Sequence, residues 1–169
     1  MGQHRVDTIG TVLDTNVICD LMRIEAWPWI RRSYGPLYVV QPIWEEELDD
    51  ACQTLIREHV SAVNLTIEEW TTSWRLKEQF GMGLSRFDRA MLAVAFHRRL
   101  RCGSNDGPVH NVCRQLRIEN IRTLGILTAA NHAGVKTKQQ CLAIIERIRR
   151  ESQMRITAQI LEKWSQGLR

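Results

Sequence analysis

"TVLDTNVICDL", residues 11–21, decides how the rest of the chain is read. An apolar run, Thr11-Val12-Leu13, meets Asp14, Thr15 and Asn16, after which apolar residues resume. A carboxylate at the end of a buried strand costs free energy unless something pairs with it. Asp14 is therefore a helix cap, a ligand, or both. Which of these holds depends on what else the fold brings to the same edge.

Further along, short apolar runs recur at residues 37–40, 62–65, 100–102 and 121–124, each separated from the next by a helical pattern. Strands alternating with helices of that size predict βαβ units and a mainly parallel sheet. The expected fold is a three-layer α/β domain with a parallel sheet of four or five strands and extra C-terminal helices. Helices are predicted over 16–23, 28–33 and 42–58. Thr66-Ile67-Glu68-Glu69 has capping-box spacing ahead of "WTTSWRLKEQF", and Ser85-Arg86-Phe87-Asp88 repeats it ahead of "RAMLAVAFHRRL". Met91, Leu92, Ala95 and Phe96 form an apolar face on that second helix, and Gly81 and Gly83 separate the two. After Leu124 the segments "GILTAANHAG", "TKQQCLAIIERIRRES" and "ITAQILEKWSQGL" read as helices with no strand between them. The domain division expected is 1–128 for the sheet domain and 129–169 for a helical extension packed on it.

A chain of 169 residues, 44% hydrophobic and 25% charged, has the composition of an ordinary globular domain. No apolar run nears the roughly 18 residues of a transmembrane helix, so no membrane is expected. "MGQHRVDTIG" lacks the basic-then-apolar layout of a secretory signal. Cys19, Cys52, Cys102, Cys113 and Cys141 are odd in number and never spaced CxxC. That argues against a disulfide framework or structural zinc, and for a reducing cytoplasm with the cysteines as small buried hydrophobes. The net charge of +4 is compatible with a polyanionic partner and equally with a solvated surface.

Asp14, Glu46, Glu47, Asp88 and Asp106 each fall at the end of a predicted strand or in the first turns of the following helix. In an open parallel sheet these positions share one edge, where ligand crevices form. Carboxylates gathered there would repel and take up protons unless a hard divalent cation sat among them. Such a cation can bind a phosphodiester, acidify a bound water and stabilise a leaving oxygen. Each acid also has a plainer account. Asp14 and Asp88 could be only caps, Glu46 and Glu47 part of a solvated "EEELDD" turn, and Asp106 with Gly107 a turn. Their shared edge favours the joint reading.

From "VLDTNV" through "IWEEEL" and "LSRFDRAMLAVAF" to "SNDGPVHNVCRQLRIENIRTLGIL", roughly residues 8–128, the chain resembles the PIN-domain ribonucleases. The run "TLGILTAANHAGV" and the helices after it resemble one prokaryotic, toxin-like branch. The resemblance implies that Asp14, Asp88, Asp106 and an early-helix Glu, Glu47 ahead of Glu46, hold Mg²⁺ or Mn²⁺. Thr15 and Asn16 match the polar pair that steadies such a site. It further implies cleavage of single-stranded RNA, a homodimer, and a toxin held inactive by a cognate antitoxin protein. The alternative is a PIN-like module that binds RNA or protein without cutting. A receiver-like switch domain would need a paired-acid turn and a late lysine, where this chain has Asp14 alone and Arg122-Thr123.

Arg31, Arg32 and His110 are weaker substrate-binding candidates. His4, His59, His97 and His132 are dispersed and read as structural or surface residues. Trp27 and Trp29, near Arg31 and Arg32, could stack bases, though packing is the simpler account. Trp70 and Trp74, at i and i+4, are expected to form a core-facing stripe.

Overall fold

The computed structural model describes residues 9–152 and 156–169; most of the N-terminal stretch, with His4, lies outside the described residues. Five parallel strands form the sheet: β1 (Thr11–Leu13), β2 (Leu37–Val40), β3 (Val60–Val63), β4 (Arg101–Gly103) and β5 (Asn120–Ile121). Their order is β3-β2-β1-β4-β5. The chain walks outward from β1 to β3, crosses back, and adds β4 and β5 on the other side. The strand order therefore reverses between β1 and β4, where Asp14 N–H donates to Gly103 O at 2.9 Å. At Gly103 the buried Leu13 side chain occupies the space of a Cβ. A Cβ at that position would stand 2.6 Å from Leu13 Cδ2.

Between β1 and β2 run α1 (Thr15–Ile24) and α2 (Trp27–Tyr34), and between β2 and β3 run α3 (Gln41–Glu46) and α4 (Asp50–Ile56). The return crossover is α5 (Ile67–Phe80) and α6 (Arg86–Arg98), joined by a 3-10 turn at Gly81–Gly83. α7 (Gly107–Leu116) links β4 to β5, and α8 (Thr123–His132), α9 (Lys138–Glu151) and α10 (Ala158–Gln166) complete the chain. α6 packs on β1, β2 and β4 and against α5 and α7, while α1 packs against α8 and α9. Three layers result, with the sheet in the middle. Six consecutive residues of α6, Ala90 to Ala95, are buried, which is why its small side chains alternate with Met91, Leu92 and Val94. Phe96, expected on the apolar face, is 48% exposed.

Both capping boxes form as the spacing predicts. The helix expected over 42–58 is instead two. Leu48 N–H reaches back to Ile43 O, Asp49 caps α4 by accepting from Cys52 N–H at 2.7 Å, and Gln53 Nε2 donates to Trp44 O and Leu48 O. Those side chains satisfy the backbone groups that a helix break exposes. β3 begins two residues earlier than predicted. β5 ends at Ile121, because Thr123 N–H is drawn to Asn105 Oδ1 and a helix starts there.

The stripe expected from Trp70 and Trp74 faces outward, at 43% and 63% exposure. α5 buries Glu69, Ser73 and Leu76 instead. Glu69 can occupy that face because Arg98 grips both its carboxylate oxygens, at 2.7 and 2.9 Å. Of the cysteines, Cys102, Cys113 and Cys141 are buried and Cys19 and Cys52 half-buried, all as free thiols. Among the described residues no helix is long and apolar enough to cross a membrane.

Candidate active site

Asp14 leaves β1 in an extended conformation and caps α1, its Oδ1 accepting from Val17 N–H at 2.7 Å. It is 8% exposed, and among the described residues no Lys or Arg pairs with it. Burial raises its pKa from the ordinary 3.8 to about 7. The Ser104 hydroxyl and Val17 N–H pull the other way, and the charges of Asp88 and Asp20 push it further up. A buried carboxylate repelled by two others is relieved either by taking up a proton or by pairing with a cation.

The other predicted acids approach from neighbouring elements. Asp88 sits at the third position of α6, where its Oδ2 accepts from Ser85 N–H at 2.8 Å. Asp106 caps α7, with Oδ1 accepting from Val109 N–H at 2.9 Å. Both are thus fixed by backbone donors and oriented at the starts of helices, whose dipoles favour negative charge. The two glutamates diverge. Glu47 accepts a hydrogen bond from the Thr15 hydroxyl, beside Asp14, whereas Glu46 forms an ion pair with Arg86. Thr15 is half-buried at this contact and Asn16 is exposed.

Ser104, fully buried, ties the edge together: its hydroxyl lies at Asp14 and its Oγ accepts from Asp106 N–H at 3.2 Å. Behind it is a polar cluster that sequence reading missed. Asp20, 2% exposed, accepts from Thr123 Oγ1 at 2.6 Å and from Asn105 Nδ2 at 3.1 Å, with Arg23 at 3.7 Å. Its pKa is raised by burial, against the pull of Thr123, Arg23 and Asn105. These bonds fasten α1, the β4–α7 turn and the start of α8 to one another. One signal for Asp20 was available: it falls on the buried face of α1 with Val17, Ile18, Leu21 and Ile24. Ser104 and Asn105 stand beside Asp106 in "SNDG", with no spacing of their own that marks them.

His110 lies on α7 with Nδ1 3.3 Å from Asn120 Nδ2, and burial with the nearby charges of Arg122 and Arg114 lowers its pKa. Asn120 in turn bonds the Ser104 backbone. Arg31 and Arg32 are exposed in the last turn of α2. That turn ends at Tyr34, whose carbonyl accepts from the Thr11 hydroxyl at the start of β1, the end of the strand away from Asp14. Trp27 is stacked on His59 at 4.7 Å and Trp29 meets Tyr34 edge-on, so both rings already have partners.

Among the described residues, no three His, Cys, Asp or Glu side chains form a ready-made coordination cluster. The residues that suit a divalent ion are Asp14 and Asp88, which share an electrostatic neighbourhood, with Glu47 and Asp106 flanking them. All are oxygen donors, the set that Mg²⁺ and Mn²⁺ prefer. No curated protein matches the chain. The family model DUF3368, a PIN domain, matches residues 10–168.

Proposed function

Since the chain belongs to the PIN-domain family, whose members are generally nucleases, we propose that it is a divalent-metal-dependent endoribonuclease acting on single-stranded RNA. The observation that supports this reading most is Asp14: a buried carboxylate at the strand-order reversal, held near pH 7 by burial and lacking a cationic partner among the described residues. Asp14, Glu47, Asp88 and Asp106 would hold Mg²⁺ or Mn²⁺. When bound, the ion would supply an acidified water and charge stabilisation on the phosphodiester oxygens.

The chain's own residues do the positioning. Val17 N–H and Ser104 fix the Asp14 carboxylate, and Thr15 draws Glu47 toward it. The capping box sets Asp88, and Val109 N–H with Ser104 sets Asp106. The N-terminal ends of α1, α6 and α7 add partial positive charge along the same edge, which favours an incoming phosphate.

In this reading the natural partner is a cognate antitoxin, the assembly a homodimer and the compartment the cytoplasm. The toxin-like character of residues 124–169 and the free thiols support those assignments. The extension from residue 129 onward would buttress the nuclease domain, 1–128, through α1.

The test is cleavage of a labelled unstructured RNA with Mg²⁺ or Mn²⁺ and with chelator. Activity is expected only with metal, and Asp14→Asn or Asp88→Asn is expected to lower it by about 10²–10³-fold with folding intact. A second reading, an RNA- or protein-binding module without hydrolysis, draws on the lack of a ready-made cluster among the described residues. Metal-dependent cutting that those substitutions leave unchanged would remove the proposed site, and RNA binding with no cutting would favour the module.

A further inference from the structure

One open cleft adjoins the acidic edge. It has a volume of about 370 Å³ and is formed where β2 and β3 end. Gln41 and Asn64 follow those strands, Trp70 stands one turn into α5, and Arg86 opens α6 beside Glu46. Two residues of its wall neighbour the proposed catalytic acids along the chain: Glu46 precedes Glu47, and Arg86 lies two residues before Asp88.

Trp70 is 43% exposed, and among the described residues no ring or cation stacks on it. That sets it apart from Trp27, Trp29 and Trp74, which meet His59, Tyr34 and Lys77. A large open indole face beside a cavity is a surface for a flat apolar ring. The volume is near the lower end of the roughly 300–1,000 Å³ span of ligand pockets and suits a single ring system. The Asn64 amide offers donors and an acceptor at the wall, and the Gln41 amide, whose Nε2 donates to Glu45 Oε1 at 2.8 Å, offers its carbonyl oxygen. Arg86 lies over the Phe87 ring at 4.5 Å and pairs with Glu46, in an ion pair whose side chains are 60% and 44% exposed. Such exposed pairs are weak, so a phosphate can displace the glutamate.

Resting on the nuclease reading, we propose that this cleft takes one unstacked nucleobase of the single-stranded RNA, adjacent to the phosphodiester at the acidic edge. Trp70 is the stacking platform and Arg86 the contact to the neighbouring phosphate. A base inside a duplex could not enter, so the cleft selects unpaired RNA.

The test uses the full chain carrying Asp14→Asn, which removes cutting, titrated with a short fluorescent 2′-O-methyl oligoribonucleotide. Adding Trp70→Ala is expected to weaken binding about tenfold, and Trp70→Phe to restore most of it. In parallel, the native chain is given RNAs with an abasic site placed at successive positions. One position next to the cut should slow cleavage, which does not depend on any variant folding. Equal affinity with and without Trp70, or indifference to every abasic position, overturns the inference while leaving the nuclease reading standing. A dimer that falls apart on Trp70→Ala also overturns it, since the ring would then face a second copy. No oligonucleotide binding by the parent and no cutting by the native chain would sink the nuclease reading, and this inference with it.

Discussion

At the scale of the residue, Asp14 combines two demands in one side chain. As a cap it must accept from Val17 N–H, and as a buried acid it resists ionisation. The unfolded chain releases its proton near pH 3.8 and the folded chain only near 7. Between those values folding takes up a proton, so this group's contribution favours the folded state below 3.8. The contribution declines as the pH rises to 7, by about 4 kcal/mol. A divalent cation competes with that proton. Melting curves should therefore show Mn²⁺ raising the midpoint clearly at pH 8 and little at pH 5. Asp14→Asn keeps a capping oxygen, so it should raise the metal-free midpoint at pH 8 and abolish the response to Mn²⁺. A response of equal size at both pH values would contradict this assignment. The candidate acids stand out in the sequence because a carboxylate that caps a helix leaves a local mark, as Ser85 and Asp88 do three residues apart. Asp20 left only its position on an apolar face. Its partners Asn105 and Thr123 lie 85 and 103 residues away, and no local spacing reports that.

At the scale of the element, Glu69 shows how a buried charge can be stable. It completes the capping box of α5 and holds Arg98 at the end of α6, while Arg98 also donates to Asn64 O at 2.7 Å. The Arg98 hydrogen bonds, then the Thr66 N–H, hold the Glu69 carboxyl below its ordinary 4.5 despite burial. Arg98→Ala strands that carboxylate, and thermal or urea unfolding at pH 7 should show a loss of about 3 kcal/mol. The pair contributes while Glu69 is ionised, so the gap between variant and parent should narrow as the pH falls below 4.5. A gap that is constant down to pH 3 would mean that Arg98 acts through packing alone. This pairing also explains why Trp70 and Trp74 were misplaced. Apolar spacing points a tryptophan stripe inward, but the α5 face that meets α6 is chosen by an ion pair 29 residues apart. The break between α3 and α4 is a milder case, since "LDDA" does contain the capping aspartate that ends one helix and starts the next.

At the scale of the whole molecule, the alternation of strand and helix predicted the layers, and the strand order came only with the structure. The long crossover through α5 and α6 sends β4 to the far side of β1, and no pattern within the strands themselves encodes that choice. The tail reads from the sequence as helices packed on the sheet domain, while the helix that receives them, α1, came only with the structure. Ile145 and Ile148 of α9 are buried, and Glu151 bonds Arg23 of α1 at 2.9 Å. Deleting residues 133–169 would uncover those contacts. Two isoleucines at about 1.5–3 kcal/mol each predict a midpoint lower by roughly 10 °C, read by calorimetry. An unchanged midpoint would show the tail to be an appendage. The strand order has one more consequence, in time rather than in space. β1 is the earliest strand to be synthesised, yet its neighbour on the Gly103 side is made 88 residues after Leu13. At about 5–20 residues per second on the ribosome, that is a wait of roughly 4–18 s. A nascent chain thus cannot assemble the edge that Asp14 shares with Gly103 until its fourth strand emerges and docks.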